Sequence, residues 1–341
     1  MLARWGLVAA YAAAAGANQL LWLTYAPITT RTAEHYGVSE SAVGWLSQVF
    51  PLLYVVLAIP AAIALRRAFR PALLAGAWLT ALGGAVRLGD TFTTALIGQI
   101  LVAIAQPLLL NAVTYVATTA PDEPKGVAIG SAGIFAGTAL ALPLAPALSI
   151  PTLLVVDAIV AVLVAVALTA TIRPARAIAT PPLPRRARPA MVAFLGFGVF
   201  VALTTWLQVL LEPAGTSEDT AGWLLFSMVL SGVASSALLS PLVIARGWER
   251  PFLRAAALIA AASCLLLAVA PGAAWFVVFP LGAVLLGALP VLLSRADPAL
   301  IWLAGNTGGI VVAVLTQATS SRPGLAFSLL AAIAASVLAL A

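Results

Sequence analysis

Charge is scarce in this chain. Only 8% of its 341 residues are Asp, Glu, Lys or Arg, while 63% are hydrophobic. Soluble domains carry about 25% charged residues, so a water-soluble fold is excluded: no core could hide this much apolar surface. Cysteine is nearly absent. The single Cys264 cannot form an intrachain disulfide, and neither a CxxC pair nor a Cys/His metal spacing is present. His35 is the one histidine. A paired-acid catalytic site and the nucleotide-cradling sequence GxxxxGK[ST] are also missing. The chain therefore reads as a non-enzyme, with no cofactor and no metal, and ATP-driven work by this chain alone is not expected. It has no soluble basic face to hold a polynucleotide, so its net charge of +6 is assigned to membrane orientation rather than to nucleic acid. Met1 to Ala3 lead straight into an apolar run without a small-residue cleavage pattern, so the first span reads as retained rather than as a signal.

What is present is a series of long apolar runs separated by short charge clusters. A spanning helix needs roughly 20 apolar residues. Twelve runs meet that length, at about 5–27, 41–65, 71–89, 92–119, 125–147, 151–172, 189–211, 219–245, 252–270, 273–294, 298–319 and 323–341. Backbone facing lipid must satisfy its hydrogen bonds internally, which selects helix. A β-barrel would need alternating strands, and the runs are unbroken. The expected fold is an all-α integral membrane protein with twelve transmembrane helices in two pseudo-symmetric six-helix bundles: 1–172, then an Arg/Pro-rich linker at 173–188, then 189–341. Ser39 and Ser41 precede the second span, and Ser217 with Glu218 precedes the eighth, as helix caps do.

The basic residues set an orientation. With the N-terminus inside, the inner loops hold Arg4, Arg66, Arg67, Arg70, Lys125, Arg173, Arg176, Arg185, Arg186, Arg188, Arg246, Arg250, Arg254 and Arg295. The outer side holds Arg31, Arg87 and Arg322, giving 14 against 3 of the 17 basic residues. Basic residues favour the cytoplasmic side, so both termini are expected there, in the plasma membrane. The linker, RPARAIATPPLPRRAR, is expected to be extended and semi-rigid. Its arginines serve topological anchoring or contact anionic headgroups.

Polar residues inside spans are the candidate site. Tyr11, Asn18, Trp22 and Tyr25 fall on one face of the first span, at offsets of seven, four and three. Trp22 suits either a cavity wall or the interfacial aromatic belt; Tyr25 suits the belt better. Gln99 and Gln106 share a face of the fourth span, and Pro107 should bend that helix and free the carbonyl of Ala103. Those amides suit either a ligand or interhelical hydrogen bonds. Trp206 and Gln208 in the seventh span, and Asn306 and Thr307 in the eleventh, repeat the theme. Trp22 and Trp206 lie at the same register of their spans, the eighteenth residue in each. Gly126, Gly130, Gly133 and Gly137, and later Gly305, Gly308 and Gly309, read as close helix-packing stripes. Asp157 is the one carboxylate well inside a span; it is either a proton carrier or an interfacial, hydrogen-bonded acid. His35, in an outer loop, reads as solvated.

These residues also carry a family resemblance. NQLLWLTYAPI (18–28), GVSESAVGWLSQVFPLLYV (37–55), GQILVAIAQPLLLNA (98–112), TTWLQVLL (204–211) and AGWLLFSMVLSGVASS (221–236) resemble the major facilitator superfamily. Within it they resemble the branch of the feline leukaemia virus subgroup C receptor-related proteins. The resemblance implies alternating access by two six-helix bundles around a central cavity lined by spans 1, 4, 7 and 10. It also implies choline, ethanolamine or haem as substrate class, and an aromatic cage with a glutamine. Trp22 matches the span 1 aromatic, Gln106 the span 4 glutamine and Trp206 the span 7 aromatic. The span 11 glutamine is replaced by Thr307 beside Asn306. ALRRAFRP (64–71) keeps the arginines of the superfamily's loop between spans 2 and 3 but lacks its Asp and Gly, which implies a different inner latch. The expected substrate-binding set is thus Trp22, Gln106, Trp206, Asn18, Gln99, Asn306 and Thr307, in a protein working as a monomer on a small molecule within the lipid bilayer. A proton-coupled exporter of amphipathic compounds using Asp157, and a non-transporting membrane sensor or scaffold, are the alternatives.

Overall fold

The computed structural model of the chain describes residues 2–172 and 186–340. The segment 173–185, which holds most of the expected linker with Arg173, Arg176 and Arg185, lies outside the described residues, as does the side chain of Arg4. All regular secondary structure among the described residues is helical. In order they form α1 (Leu2–Trp22), α2 (Thr29–Tyr36), α3 (Glu40–Arg67), α4 (Phe69–Arg87), α5 (Phe92–Leu110), α6 (Val113–Ala117), α7 (Glu123–Ala147) and α8 (Ile150–Thr171). After the segment come α9 (Ala187–Leu211), α10 (Glu218–Ala245), α11 (Glu249–Val269), α12 (Ala274–Leu293), α13 (Pro298–Thr319) and α14 (Pro323–Ser336). Eleven helical stretches are long and apolar enough to cross a membrane, and the shorter apolar stretch Pro323–Ala339 is the twelfth.

The chain divides into two compact units, one on each side of that segment. Each is built on the same pairings. In the first, α1 packs on α7, α3 on α5 and α4 on α8; in the second, α9 packs on α13, α10 on α12 and α11 on α14. The second six spans thus repeat the arrangement of the first.

Glycine permits the closest of these pairs. A Cβ on Gly16 of α1 would lie 2.6 Å from the Gly133 carbonyl oxygen of α7, and one on Gly133 would lie 2.7 Å from Ala12. In the second unit a Cβ on Gly198 of α9 would lie 3.0 Å from the Gly308 carbonyl of α13, and one on Gly305 3.1 Å from Phe197. In lipid there is little hydrophobic drive between helices, so close backbone approach and van der Waals contact hold such pairs together.

Local sequence sets the helix ends. Ser39 and Ser217 accept from the backbone N–H of Ala42 and Thr220 and cap α3 and α10. Asp122 caps α7 by accepting from the Lys125 N–H at 3.1 Å, which holds its carboxyl below the usual range. The first span ends at Trp22 rather than at residue 27, since the chain turns through Ala26–Ile28 into the polar helix α2. The fourth span breaks after Leu110 and resumes as α6. Asn111, at that break, turns its amide to α3: it accepts from Tyr54 Oη at 2.7 Å and donates to the Ala58 carbonyl at 2.9 Å.

Candidate functional site

The site is built outward from the end of α1. Pro51 inside α3 has no N–H, so the carbonyl four residues earlier, at Ser47, loses its helical donor. The indole Nε1 of Trp22 takes that place and donates to Ser47 O at 3.0 Å. Phe50 stacks on the same indole, with centroids 5.7 Å apart and planes at 27°. Trp22 is therefore half-buried and fixed to α3 at two points, whereas a belt indole would reach to the headgroups. Its own carbonyl, at the end of α1, accepts from Gln99 Nε2 of α5 at 3.4 Å. The structure so brings Trp22 and Gln99 together, a pairing the sequence did not offer.

Both glutamines of α5 are buried, and neither Gln99 Oε1 nor Gln106 Oε1 has a hydrogen-bond partner. In the second unit the buried Nε1 of Trp206 on α9 is also without a partner. A buried, unsatisfied polar group costs about 1–3 kcal/mol. These three atoms are among twelve such atoms in the described residues, and all three belong to residues expected to bind solute.

The remaining candidates are used internally. Asn18 is fully buried between α1, α4 and α5. It donates to Thr80 Oγ1 at 3.1 Å and to the Val102 carbonyl at 3.0 Å, and accepts from Gln19 at 3.2 Å. Tyr11 donates to the Leu109 carbonyl at 2.9 Å. On α13, Asn306 donates to Trp302 O and Thr307 to Leu303 O, both at 2.8 Å and both one turn back on their own helix.

Asp157 and Arg87 are partners: Asp157 is a buried, hydrogen-bonded acid, and Arg87, the last residue of α4, turns inward to meet it. Both side chains have 0% exposure, and Arg87 Nη2 lies 2.8 Å from Asp157 Oδ2. Thr24 Oγ1 donates to the same carboxylate oxygen at 2.6 Å, while Arg87 Nη1 donates to Thr24 Oγ1 at 3.1 Å and to the Leu21 carbonyl at 3.3 Å. Tyr25, read from the sequence as a belt residue, is fully buried with its ring 5.8 Å from the Arg87 guanidinium. The cluster ties the end of α1 to α4 and α8. Gly98 of α5 makes room for it, because a Cβ there would strike the Arg87 stem. His35 does sit at the surface, where Nε2 meets Asp90 Oδ1 at 2.8 Å.

Sequence reasoning missed Phe50, the Ser47 carbonyl, Tyr54, Asn111 and the Arg87 partner of Asp157. Pro51 was a legible signal for the first two. Nothing in one sequence shows that two residues seventy positions apart share a hydrogen bond.

Eleven spanning helices and a shorter twelfth, in two like-built units, define a multi-pass membrane protein. The profile of the Major Facilitator Superfamily matches residues 7–341, and the chain belongs to that superfamily of secondary transporters. It is 32% identical over 113 residues to the choline/ethanolamine transporter FLVCR2 of Homo sapiens, covering 32% of this chain and 22% of that protein. It is 28% identical over 279 residues to solute carrier family 49 member A3 of Danio rerio, covering 70% and 58% of the two chains. The chain thus spans less than two thirds of the length of these relatives. Among solved structures, the human organic anion transporter MFSD10 (TETRAN) superposes with a TM-score of 0.77 over 99% of each chain at 16% identity, a likeness of fold.

Proposed function

We propose that the chain moves a small organic cation, of the size and chemistry of choline or ethanolamine, by alternating access. The observation that carries this reading is the set of buried, unpartnered polar atoms on Gln99, Gln106 and Trp206, taken with an indole at Trp22 fixed by Ser47 and Phe50. An amino alcohol has a hydroxyl that can donate to a glutamine Oε1 and accept from an indole N–H. Its ammonium needs no carboxylate if indole faces supply the attraction, at up to about 2 kcal/mol for a desolvated contact. In this reading Trp22 is the aromatic wall of the first unit and Trp206 that of the second. Gln106 orients the solute and Gln99 assists it. Asn18 holds the wall from behind, while Asn306 and Thr307 bond within α13 and are kept only as candidates for contact with the solute. The partial resemblance to named choline/ethanolamine transporters supports the same class of solute.

The reading favours uniport. Asp157 spends its charge on Arg87, and protonating it would leave a buried guanidinium uncompensated. The 14 basic residues assigned to inner loops still outnumber the outer ones once Arg87 is removed, so both termini are placed on the cytoplasmic side of the plasma membrane. The working unit is taken as one chain.

Uptake of labelled choline and ethanolamine into proteoliposomes tests the proposal. We expect saturable uptake that a pH gradient leaves unchanged, reduced at least tenfold by Trp22→Ala and by Trp206→Ala. Absence of saturable amine uptake would overturn the substrate class. Full uptake in both variants would overturn the cage.

A further inference from the structure

The second unit contains a cleft that the solute reading does not use. It is a narrow, partly open groove bounded by α9, α11, α12 and α14, with about 40 Å³ of room for the centres of water-sized spheres. Val192, Phe197, Ala257, Leu285 and Val337 represent its walls, which carry no polar side chain. A hydrophilic amine would find no partner there.

The position of the cleft is asymmetric. Its lining begins at Val192 on α9 and Leu253 on α11, and ends at Leu292 on α12 and Val337 after α14. In an up-and-down unit the starts of α9 and α11 share one end with the finishes of α12 and α14. The cleft therefore lies toward the end that the basic residues occupy. Arg188 is one turn before Val192, Arg250 and Arg254 flank Leu253, and Arg295 is one turn beyond Leu292. Arg188, Arg250 and Arg254 are exposed, and among the described residues none of the three forms an ion pair. Glu249 beside Arg250, and Asp297 at the start of α13, are acids at this end. Trp248, 53% exposed beside the start of α11, with Arg246 4.8 Å above its ring, marks the headgroup depth.

An apolar slot one turn beneath a cluster of arginines, at headgroup depth, matches one chemistry. We infer that this cleft is a fixed site for an anionic phospholipid of the bilayer, with one acyl chain between α9, α11 and α12 and its phosphate on Arg250 and Arg254, assisted by Arg188. Each arginine near an anionic surface strengthens such binding, while the apolar walls admit a chain and exclude the amine solute.

Photolabelling of the full chain in mixed vesicles tests this. Phosphatidylglycerol and phosphatidylcholine, each with a mid-chain diazirine, are compared by mapping the labelled peptides. We expect the glycerol lipid to label the cleft helices around Ala257 and Leu285 roughly tenfold more than the choline lipid. Arg250→Gln with Arg254→Gln should erase that preference, and Ala257→Trp should block labelling in the cleft while sparing other lipid-facing peptides, whose labelling reports intact folding. Equal labelling by both lipids, or no label in the cleft, would overturn the assignment. Displacement of the label by free choline would give the cleft to the solute path and overturn it as well.

Discussion

Asp157 shows how much a single partner changes a residue's meaning. A carboxylate inside a membrane span invites a proton-carrying role, but Arg87 at 2.8 Å and Thr24 at 2.6 Å make it part of a buried clamp. Removing one member of a buried pair leaves the other charge uncompensated, at about 3–5 kcal/mol. Asp157→Asn is therefore expected to lower the thermal unfolding temperature of the purified protein steeply, and Arg87→Met with Asp157→Leu to recover much of the loss. A stable Asp157→Asn variant that had lost a pH-gradient response would instead mark Asp157 as a proton carrier. The sequence identified Asp157 as unusual and counted Arg87 on the outer side without pairing the two, because an arginine near the end of an apolar run carries no sign of whether it turns inward.

At the scale of elements, proline and glycine decide where helices touch. Pro51 frees the Ser47 carbonyl, which then fixes Trp22. Pro290 does the same for Leu286, whose carbonyl accepts from Ser236 of α10 at 3.0 Å. Proline thus supplies acceptors through which neighbouring helices are joined. Pro51→Ala should restore the helical donor to Ser47 and release the indole. The loss of one hydrogen bond, about 1 kcal/mol, should raise the KM for amine uptake roughly fivefold with little change in folded yield. Gly16→Val acts in the opposite sense: its side chain would run into the Gly133 carbonyl. Overpacking of this kind costs about 1–3 kcal/mol, and the monodisperse fraction on size exclusion should fall. The glycine stripes were legible as packing surfaces from their spacing alone. Their partners were not, because spacing reports a face and not what lies against it.

For the whole molecule, twelve apolar helical stretches and repeated pairings give a secondary transporter of the Major Facilitator Superfamily. Its orientation can be read with single cysteines, since the native Cys264 is buried. In intact cells an impermeant maleimide should label Thr30→Cys directly, and Ala68→Cys only after permeabilisation. The reverse pattern would invert the topology and, with it, the side assigned to the basic cluster. The helical spans followed from where charge is absent, because a run of some twenty apolar residues has few alternatives in lipid.

The sequence by itself determined the number and type of spans, the packing role of the glycines and the identity of the aromatic and amide candidates. These depend on local composition and on the period of one helix. Only the tertiary structure decided which candidates were already used, as with Asn18 against Thr80 and Val102, and which kept a bare polar atom, as with Gln99, Gln106 and Trp206. A hydrogen bond between helices depends on the packing of side chains distant in sequence, and one amphipathic face looks the same whether a helix or a solute lies against it.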